Sequence, residues 1–207
     1  MSIRLPHVRR FVVGACTVLL AVILVGCSLP GQDEDYTYFG GTYDPPNPAA
    51  AIDLTDQYGQ PFSLDQLDDK VTLVYFGYTY CPDFCPTTLL DIQRVEEALG
   101  EDAADVEVVF VSVDPARDTE ARLQEYMEFF GSDYYAVWGS EEQTREVARA
   151  WNIMYAAKEP DANGRYLVDH TTSLFAIDRE GNLALTWAYG TEVDNITEDI
   201  RHLLEQD

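Results

Sequence analysis

Two cysteines lie four positions apart in the segment YFGYTYCPDFCPTT, which runs from Tyr75 to Thr88. The other two cysteines, Cys16 and Cys27, belong to an apolar N-terminal segment, so Cys81 and Cys85 are the only thiols of the remaining chain. A disulfide between them would close a short loop, and the stabilisation that a disulfide gives grows with loop length. A chemical role, as a redox pair or as two metal ligands, is therefore favoured over a structural one.

A thiolate pair favours soft ions, above all Cu(I), and a third ligand would make the coordination trigonal. The chain has three histidines: His7 lies in the N-terminal segment, His202 in a predicted C-terminal helix, and His170 in YLVDHTTSLFAID. His170 is the candidate third ligand, because it directly precedes a predicted buried strand, and the loop before that strand is expected to face the thiols. The alternative is a loop histidine hydrogen-bonded to Asp169 or to a backbone carbonyl. Asp169 is also a candidate to hold the second ring nitrogen of a ligating imidazole.

The elements around the cysteines predict how they are positioned. KVTLVYFGY is an almost continuous apolar run, typical of a strand that is buried on both faces. A helix is predicted from Pro86 to Gly100, because proline suits a first turn and glycine suits the end of a helix. Cys81 is then expected in the loop and Cys85 directly before the helix. The positive end of the helix would lower the thiol pKa there.

The rest of the chain alternates strands with helices. AIDLTDQYGQPFSLDQL predicts a hairpin, DTEARLQEYMEFFG a helix capped by Asp118 or Thr119, and SEEQTREVARAW a helix with a capping box of Ser140 and Gln143. Further strands are predicted in DVEVVFVSVDP, in YYAVWG and on both sides of the turn DREGN, and a last helix in VDNITEDIRHLLEQ. This order predicts an α/β, thioredoxin-like fold with a central mixed sheet flanked by helices and an N-terminal β-hairpin.

Residues 1–26 are predicted to form a lipoprotein signal peptide. Three arginines precede the apolar run FVVGACTVLLAVILVG, which is shorter than the roughly 20 residues of a membrane span. LVGC resembles a lipobox, so Cys27 is the predicted lipidation site; an uncleaved N-terminal anchor is the alternative. Residues 27–48, rich in Pro, Gly and acid, are interpreted as a tether, and 49–207 as one domain. The expected location is extracytoplasmic, attached to the cell membrane by a lipid anchor.

The charge of the chain excludes one class of partner. It has 37 acidic and 13 basic residues, a net charge of −24 and a pI near 4.1, which argues against binding to nucleic acid or anionic lipid. Lys70 and Lys158 are its only lysines, and this composition suits a protein that stays solvated in strong salt. A monomer is the default expectation for its oligomeric state.

Three segments closely resemble the Sco/SenC family, in the family's order and with similar gaps: YFGYTYCPDFCPTTL, VFVSVDPARDT and YLVDHTTSLFAIDREG. The resemblance implies a thioredoxin-like domain that binds one copper, expected as Cu(I) with Cu(II) a further option, through Cys81, Cys85 and His170. It also implies that the protein delivers copper to the binuclear copper site of cytochrome c oxidase, or reduces the cysteines of that site, or both. The expected partner is the copper-receiving subunit of a haem-copper oxidase.

Two enzymatic alternatives share this layout, a thiol–disulfide oxidoreductase and a thiol peroxidase. A peroxidase needs an arginine, or a glutamine and a tryptophan, beside its reactive cysteine, and the sequence around Cys81 offers none. A thioredoxin-type reductase has a proline where VDHTTS lies, and this chain has His170 there. Both observations favour a metallochaperone over an enzyme. Asp114 is interpreted as a turn residue before Pro115; the alternative is a carboxylate at the rim of the pocket that orients a ligand or a partner. The aromatic residues Tyr80 and Phe84 flank the thiol motif and either shield the metal or meet a partner.

Overall fold

The computed structural model describes residues 36–67, 69–131 and 133–206. The predicted signal peptide, the predicted lipidation site Cys27 and the first part of the predicted tether lie outside these ranges. Within them, no helix is both long and apolar enough to cross a membrane.

The centre of the fold is a six-stranded mixed sheet. In spatial order its strands are β1 (Gly41–Pro48), β10 (Asn182–Trp187), β9 (Leu174–Ile177), β4 (Val71–Gly77), β5 (Val106–Ser112) and β6 (Tyr135–Val137). β4, β5 and β6 are parallel, whereas β9 runs antiparallel to β4, and β10 antiparallel to both β9 and β1. The predicted mixed sheet is therefore confirmed.

In the part of the chain that the structure describes, four helices and two small hairpins surround this sheet. The helices are α1 (Phe84–Leu99), α2 (Glu120–Met127), α3 (Glu141–Ala150) and α4 (Val193–Glu205). The hairpins pair β2 (Asp53–Thr55) with β3 (Pro61–Ser63), and β7 (Tyr155–Ala157) with β8 (Val168–His170). The first hairpin is the predicted one, and short 3-10 helices follow β3 and α1.

β4 is the core of the fold, and all seven of its residues are buried. Neighbouring side chains point to opposite faces of the sheet. Phe76 packs against Phe175 and against Trp151, the residue that ends α3. Tyr75 lies on the other face, where α1 and α4 pack together. Because β4 is fully buried, it fixes the point at which the loop to α1 begins.

The predicted capping residues are largely as expected. Ser140 and Gln143 form a complete capping box at α3. Thr119, and not Asp118, caps α2 by accepting a hydrogen bond from the amide of Arg122. α1 begins at Phe84, two residues before the predicted start, so Cys85 lies inside the first turn. Gly100 ends α1 with a φ of +65°, a conformation that favours glycine.

The predicted tether, residues 27–48, extends too far, because its last eight residues form the edge strand β1. Gly41 pairs with Thr186 and Pro48 with Asn182, and the register shifts between Thr42 and Asn47. Nearly every residue of β1 is exposed, so the strand has no apolar alternation to detect. Edge strands and irregular pairings also tolerate proline.

The hairpin of β7 and β8 is a second departure, since His170 was expected in a loop and β7 was not predicted. His170 is the last residue of β8 and pairs with Tyr155 of β7. Each of these strands has only three residues, too few for a hydrophobic period to be read.

Candidate metal centre

Cys81 and Cys85 lie where the chain leaves β4 and enters α1. A turn closes before the first cysteine, where the amide of Cys81 donates to the carbonyl of Tyr78 at 3.2 Å. The amide of Cys85 then donates to the sulfur of Cys81 at 3.4 Å. This N–H is one of the groups that have no partner inside the helix at its N-terminus. The first turn of α1 thus carries Cys85 and directs the amide of that residue at the sulfur of Cys81.

His170 reaches the same point from β8. Its Nε2 lies 3.5 Å from the sulfur of Cys85, and its Nδ1 lies 2.8 Å from the carbonyl oxygen of Thr171. A carbonyl only accepts, so Nδ1 carries the proton and Nε2 is left with a lone pair toward the sulfurs. The ligand atoms of Cys81, Cys85 and His170 all lie within 4.8 Å of one another. The structure therefore brings the three predicted residues together, and their role as ligands stays a prediction.

Asp169 does not hold the imidazole, which corrects the expectation made for it. Its carboxylate pairs with the ammonium of Lys158 at 2.9 Å and is largely exposed. Adjacent residues on a strand point to opposite faces, so the side chain of Asp169 is turned away from that of His170. The backbone carbonyl of Thr171 fixes the imidazole instead.

The site is enclosed on its inner side by aromatic rings. Cys85 is fully buried and Cys81 is 8% exposed, whereas His170 is partly exposed. The imidazole meets the rings of Tyr78 and Tyr75 edge to face, with centroids 5.7 and 6.3 Å away. A metal held here would be shielded from the core side and reached past the histidine.

The two thiols differ in their electrostatic surroundings. The pKa of Cys81 is lowered, chiefly because the Cys85 thiol donates to its thiolate, with further donation from the Asp83 and Cys85 amides; burial opposes this. The pKa of Cys85 is raised, chiefly by burial and then by the negative charge on Cys81. Of the two thiols, Cys81 is therefore the more readily ionised.

Gly77, the last residue of β4, leaves the space that Cys85 occupies. A Cβ on Gly77 would lie 2.8 Å from the Phe110 ring, and 3.0 Å from both the Cys85 sulfur and the Tyr75 ring. These distances are far below ordinary van der Waals contact. Glycine is therefore required here by close approach and not by backbone conformation.

Two aromatic residues of the motif lie on the surface beside the thiols. Tyr80 and Phe84 are 48% and 45% exposed, and the Phe84 ring meets that of Tyr189 edge to face at 4.8 Å. Neither ring is buried over the site. Of the two predicted roles, shielding and contact with a partner, this exposure favours the second.

The segment SVDPARDT contributes more than the predicted turn. The Asp114 carbonyl does accept from the amides of Arg117 and Asp118, as a turn requires. Its side chain is also buried, pairs with the Arg117 guanidinium at 2.5 Å, and accepts from the Tyr166 hydroxyl at 2.9 Å. The guanidinium of Arg117 in turn lies 3.5 Å from the Tyr166 ring centroid and 4.9 Å from that of Tyr80. Asp114 is thus part of a cluster beside the thiol loop.

The sequence points to SVDPARDT, which contains Arg117, but it does not point to Arg122. The two arginines lie 36 and 41 positions after Cys81, so the sequence directly around Cys81 contains neither. Both stack near Tyr80, at 4.9 and 5.1 Å from its ring centroid. A signal was available, because the carboxyl ends of the parallel strands β4 and β5 meet at one edge of the sheet.

The donor set selects the class of metal. Two thiolate sulfurs and one imidazole nitrogen suit a soft ion such as copper better than Mg²⁺ or Ca²⁺, which prefer oxygen. Among the residues that the structure describes, no carboxylate joins the three as a potential ligand.

Comparison with known proteins agrees with this geometry. The family model described as SCO1/SenC matches residues 42–205. A SCO2-like protein of Rickettsia prowazekii is 35% identical over 173 residues, covering 82% of this chain and 80% of that protein. Among solved structures, apo Sco1 of Thermus thermophilus is 37% identical with a TM-score of 0.73, covering 83% of this chain and 99% of that one. Bradyrhizobium japonicum ScoI with copper bound is 33% identical with a TM-score of 0.69, covering 75% and 99%. These structures confirm the predicted thioredoxin-like fold.

Proposed function

This chain belongs to the SCO1/SenC family, and we propose that it is an extracytoplasmic copper-binding protein that helps to assemble the binuclear copper site of cytochrome c oxidase. The observation that carries the proposal is the convergence of the Cys81, Cys85 and His170 ligand atoms within 4.8 Å. The copper held by the similar Bradyrhizobium protein supports the choice of metal.

Each of the three residues would supply one copper ligand. The thiolates of Cys81 and Cys85 supply the soft ligands and the negative charge, and Nε2 of His170 supplies the third ligand. Cu(I) is satisfied by three such ligands, and Cu(II) would add an oxygen ligand from solvent. Cys85 is fully buried and its pKa is raised by that burial, so it has to lose its proton when it binds copper. Copper loading therefore releases a proton from Cys85.

The same thiols support a second activity, the reduction of a partner's disulfide. The Cys81 thiolate attacks one sulfur of that disulfide, and the partner's other sulfur leaves as a thiolate. Cys85 then gives its proton to this thiolate and attacks Cys81. A Cys81–Cys85 disulfide forms, and the partner leaves with one thiol and one thiolate, which takes up a proton from solvent. Because the disulfide form has no thiolates to offer, copper binding and thiol reduction exclude each other in one molecule.

We further propose that residues 1–26 are a lipoprotein signal peptide, that Cys27 carries the lipid, and that the domain works outside the cytoplasm. The basic start, the short apolar run and LVGC support this. The linker to the domain then ends before β1, which begins at Gly41. The proposed partner is the copper-receiving subunit of a haem-copper oxidase, met by a monomer of this chain.

Delivery and reduction can be separated in cells that lack the natural gene. Such cells are complemented with the wild-type chain, with Cys81→Ser or with His170→Ala, and the copper content and spectrum of the oxidase are measured. Cys81→Ser should abolish the binuclear copper site, since both activities need this thiol. If delivery is the main duty, His170→Ala should fail as well, because it keeps the thiol pair and loses a copper ligand. Normal oxidase copper with His170→Ala would assign the protein to reduction, and normal oxidase copper with Cys81→Ser would refute the proposal.

A further inference from the structure

Asp118 is a buried carboxylate that neither the copper ligands nor the thiol chemistry uses. It is fully buried, and both of its oxygens are hydrogen-bonded to neutral donors. Its Oδ1 accepts from the Thr79 hydroxyl at 2.6 Å, its Oδ2 from the Ser112 hydroxyl at 2.6 Å, and the Thr79 amide lies 3.2 Å from both. A buried charge that is held by neutral groups is costly to the fold. The groups that Asp118 binds therefore indicate its role.

Arg122 holds the same threonine from the outer side. Its Nε donates to the Thr79 hydroxyl at 3.1 Å, and its Nη2 donates to the Thr79 carbonyl at 3.3 Å. Its guanidinium lies 5.1 Å from the ring centroid of Tyr80. The amide, hydroxyl and carbonyl of Thr79 are thus all bound by residues from the β5–α2 region, 39 and 43 positions along the chain.

The bonds to Thr79 bear directly on Cys81. Thr79 lies inside the tight turn that the Cys81 amide closes onto the Tyr78 carbonyl. A turn of this kind transmits a displacement of its central residues to the residue that closes it. The position of the Cys81 sulfur relative to Cys85 therefore depends on where Thr79 is held.

We propose that Asp118, together with Arg122, is a positioning residue for the thiol site: it fixes Thr79 and, through the turn, sets the Cys81 sulfur at the distance needed to share a metal or a disulfide with Cys85. The proposal rests on the proposed function for its copper part only. Burial raises the pKa of Asp118, while the bonds from Ser112 and Thr79 lower it. The hydrogen bonds that Asp118 accepts therefore offset part of the cost of burying its carboxylate.

Asp199 offers a matched control for removing a buried carboxylate. It is also fully buried, and it accepts from the Trp187 indole at 2.8 Å and from the amides of Phe39 and Gly40 at 3.0 and 2.9 Å. These partners fix the entry to β1 and not the thiol loop. Asp199→Asn and Asp118→Asn both replace a buried, hydrogen-bonded carboxyl group by an amide, so Asp199→Asn reports the general effect of that replacement.

The first experiment measures the full chain as wild type, Asp118→Asn and Asp199→Asn. The readouts are Cu(I) affinity, by competition with a chromophoric chelator, and the equilibrium constant of the Cys81–Cys85 disulfide against dithiothreitol without metal. Asp118→Asn should weaken Cu(I) binding about 10-fold or more, the range found for groups that orient metal ligands. It should also shift the disulfide equilibrium by about as much, while Asp199→Asn stays within about 2-fold of wild type in both readouts.

A second pair of variants keeps the test decisive if Asp118→Asn fails to fold. Thr79→Val removes the hydroxyl that Asp118 and Arg122 bind, and Thr79→Ser keeps it. Thr79→Val should reproduce the loss and Thr79→Ser should restore wild-type values. Wild-type values in Asp118→Asn or Thr79→Val, or an equal loss in Asp199→Asn, would overturn the proposal. If the wild type binds no copper, the proposed function fails, and the disulfide equilibrium still decides the role of Asp118.

Discussion

Cys81 and Cys85 have the same side chain and opposite electrostatic surroundings. Donors from Cys85 and the start of α1 lower the pKa of Cys81, whereas burial and the neighbouring charge raise the pKa of Cys85. This asymmetry suits both proposed activities. A thiolate at Cys81 can attack a disulfide or bind copper. In both cases Cys85 gives up its proton, to the partner's leaving thiolate during reduction and to solvent when copper binds.

The asymmetry predicts how alkylation of the reduced, metal-free chain depends on pH. An ordinary cysteine has a pKa of about 8.5, so its reaction with iodoacetamide slows about tenfold per pH unit below that value. The lowered pKa of Cys81 keeps it a thiolate, so its rate should stay nearly constant from pH 8 to pH 5. Peptide mapping by mass spectrometry gives the rate at each site, and Cys85 should react far more slowly. A Cys81 rate that falls tenfold per unit would contradict the assignment.

His170 tests the metal site separately from the redox pair. His170→Ala should lower Cu(I) affinity by more than about 100-fold, since even the groups that orient a ligand are worth about 10- to 100-fold. The Cys81–Cys85 disulfide should still form. His202→Ala is the control, because His202 lies in α4 and its ring meets that of Tyr38 at 5.4 Å. Unchanged affinity in His170→Ala would remove this residue from the site.

At the scale of elements, the junction of β4 with α1 is defined by close packing at Gly77. Gly77→Ala would force the new methyl group against the Phe110 ring and the Cys85 sulfur. Such overpacking costs about 1–3 kcal/mol, and here it also moves a ligand. Urea unfolding should show that loss of stability, and Cu(I) affinity should fall with it. Gly41→Ala is the control, since its Cβ would lie 3.3 Å from the terminal methyl of Thr186; equal effects in both variants would refute this packing role.

The edge strand β1 gives a second prediction at this scale. A chain that begins at residue 49, the domain start expected from sequence, lacks β1 and the two backbone donors of Asp199. Leaving such a buried group unsatisfied costs about 1–3 kcal/mol. Its melting temperature should lie below that of a chain beginning at residue 37, by about 2–4 °C per kcal/mol for a domain of this size. Equal melting temperatures would mean that β1 adds nothing to the fold.

These elements also explain what the sequence could predict. β4 and the capping box of α3 were predictable because their signals are local: a continuous apolar run, and Ser140 three residues before Gln143. β1 was not, because its residues are exposed and lack a period. The bonds between Asp118 and Thr79 were not either, since they join residues 39 positions apart and depend on the sheet. The three candidate ligands were found through residue type and spacing.

For the whole molecule, the net charge of −24 predicts a dependence of stability on salt. Like charges on the surface repel one another, and salt shortens the screening length from about 10 Å at 0.1 M to about 3 Å at 1 M. The melting temperature at pH 7 should therefore rise between 0.1 and 1 M KCl. Near the pI of about 4.1 the net charge is small, so the rise should be much weaker. A melting temperature at pH 7 that is unchanged or falls with salt would contradict this.

The acidic surface and the thiol site have different tasks. The charge keeps the molecule solvated and away from other anions, while the half-exposed rings of Tyr80 and Phe84 interrupt that surface beside the cysteines. A partner that receives copper or electrons has to approach there. The molecule thus combines a strongly acidic composition with two exposed aromatic rings and two arginines beside its reactive sulfurs.

Copper stoichiometry of the reduced chain, measured anaerobically with X-ray absorption at the copper edge, tests the central claim most directly. We predict one copper per chain, coordinated by two sulfurs and one nitrogen, and its loss in Cys81→Ser. A reduced chain that binds no copper, or a Cys81→Ser variant that binds it as tightly as the wild type, would contradict the assignment of Cys81, Cys85 and His170 as a copper site.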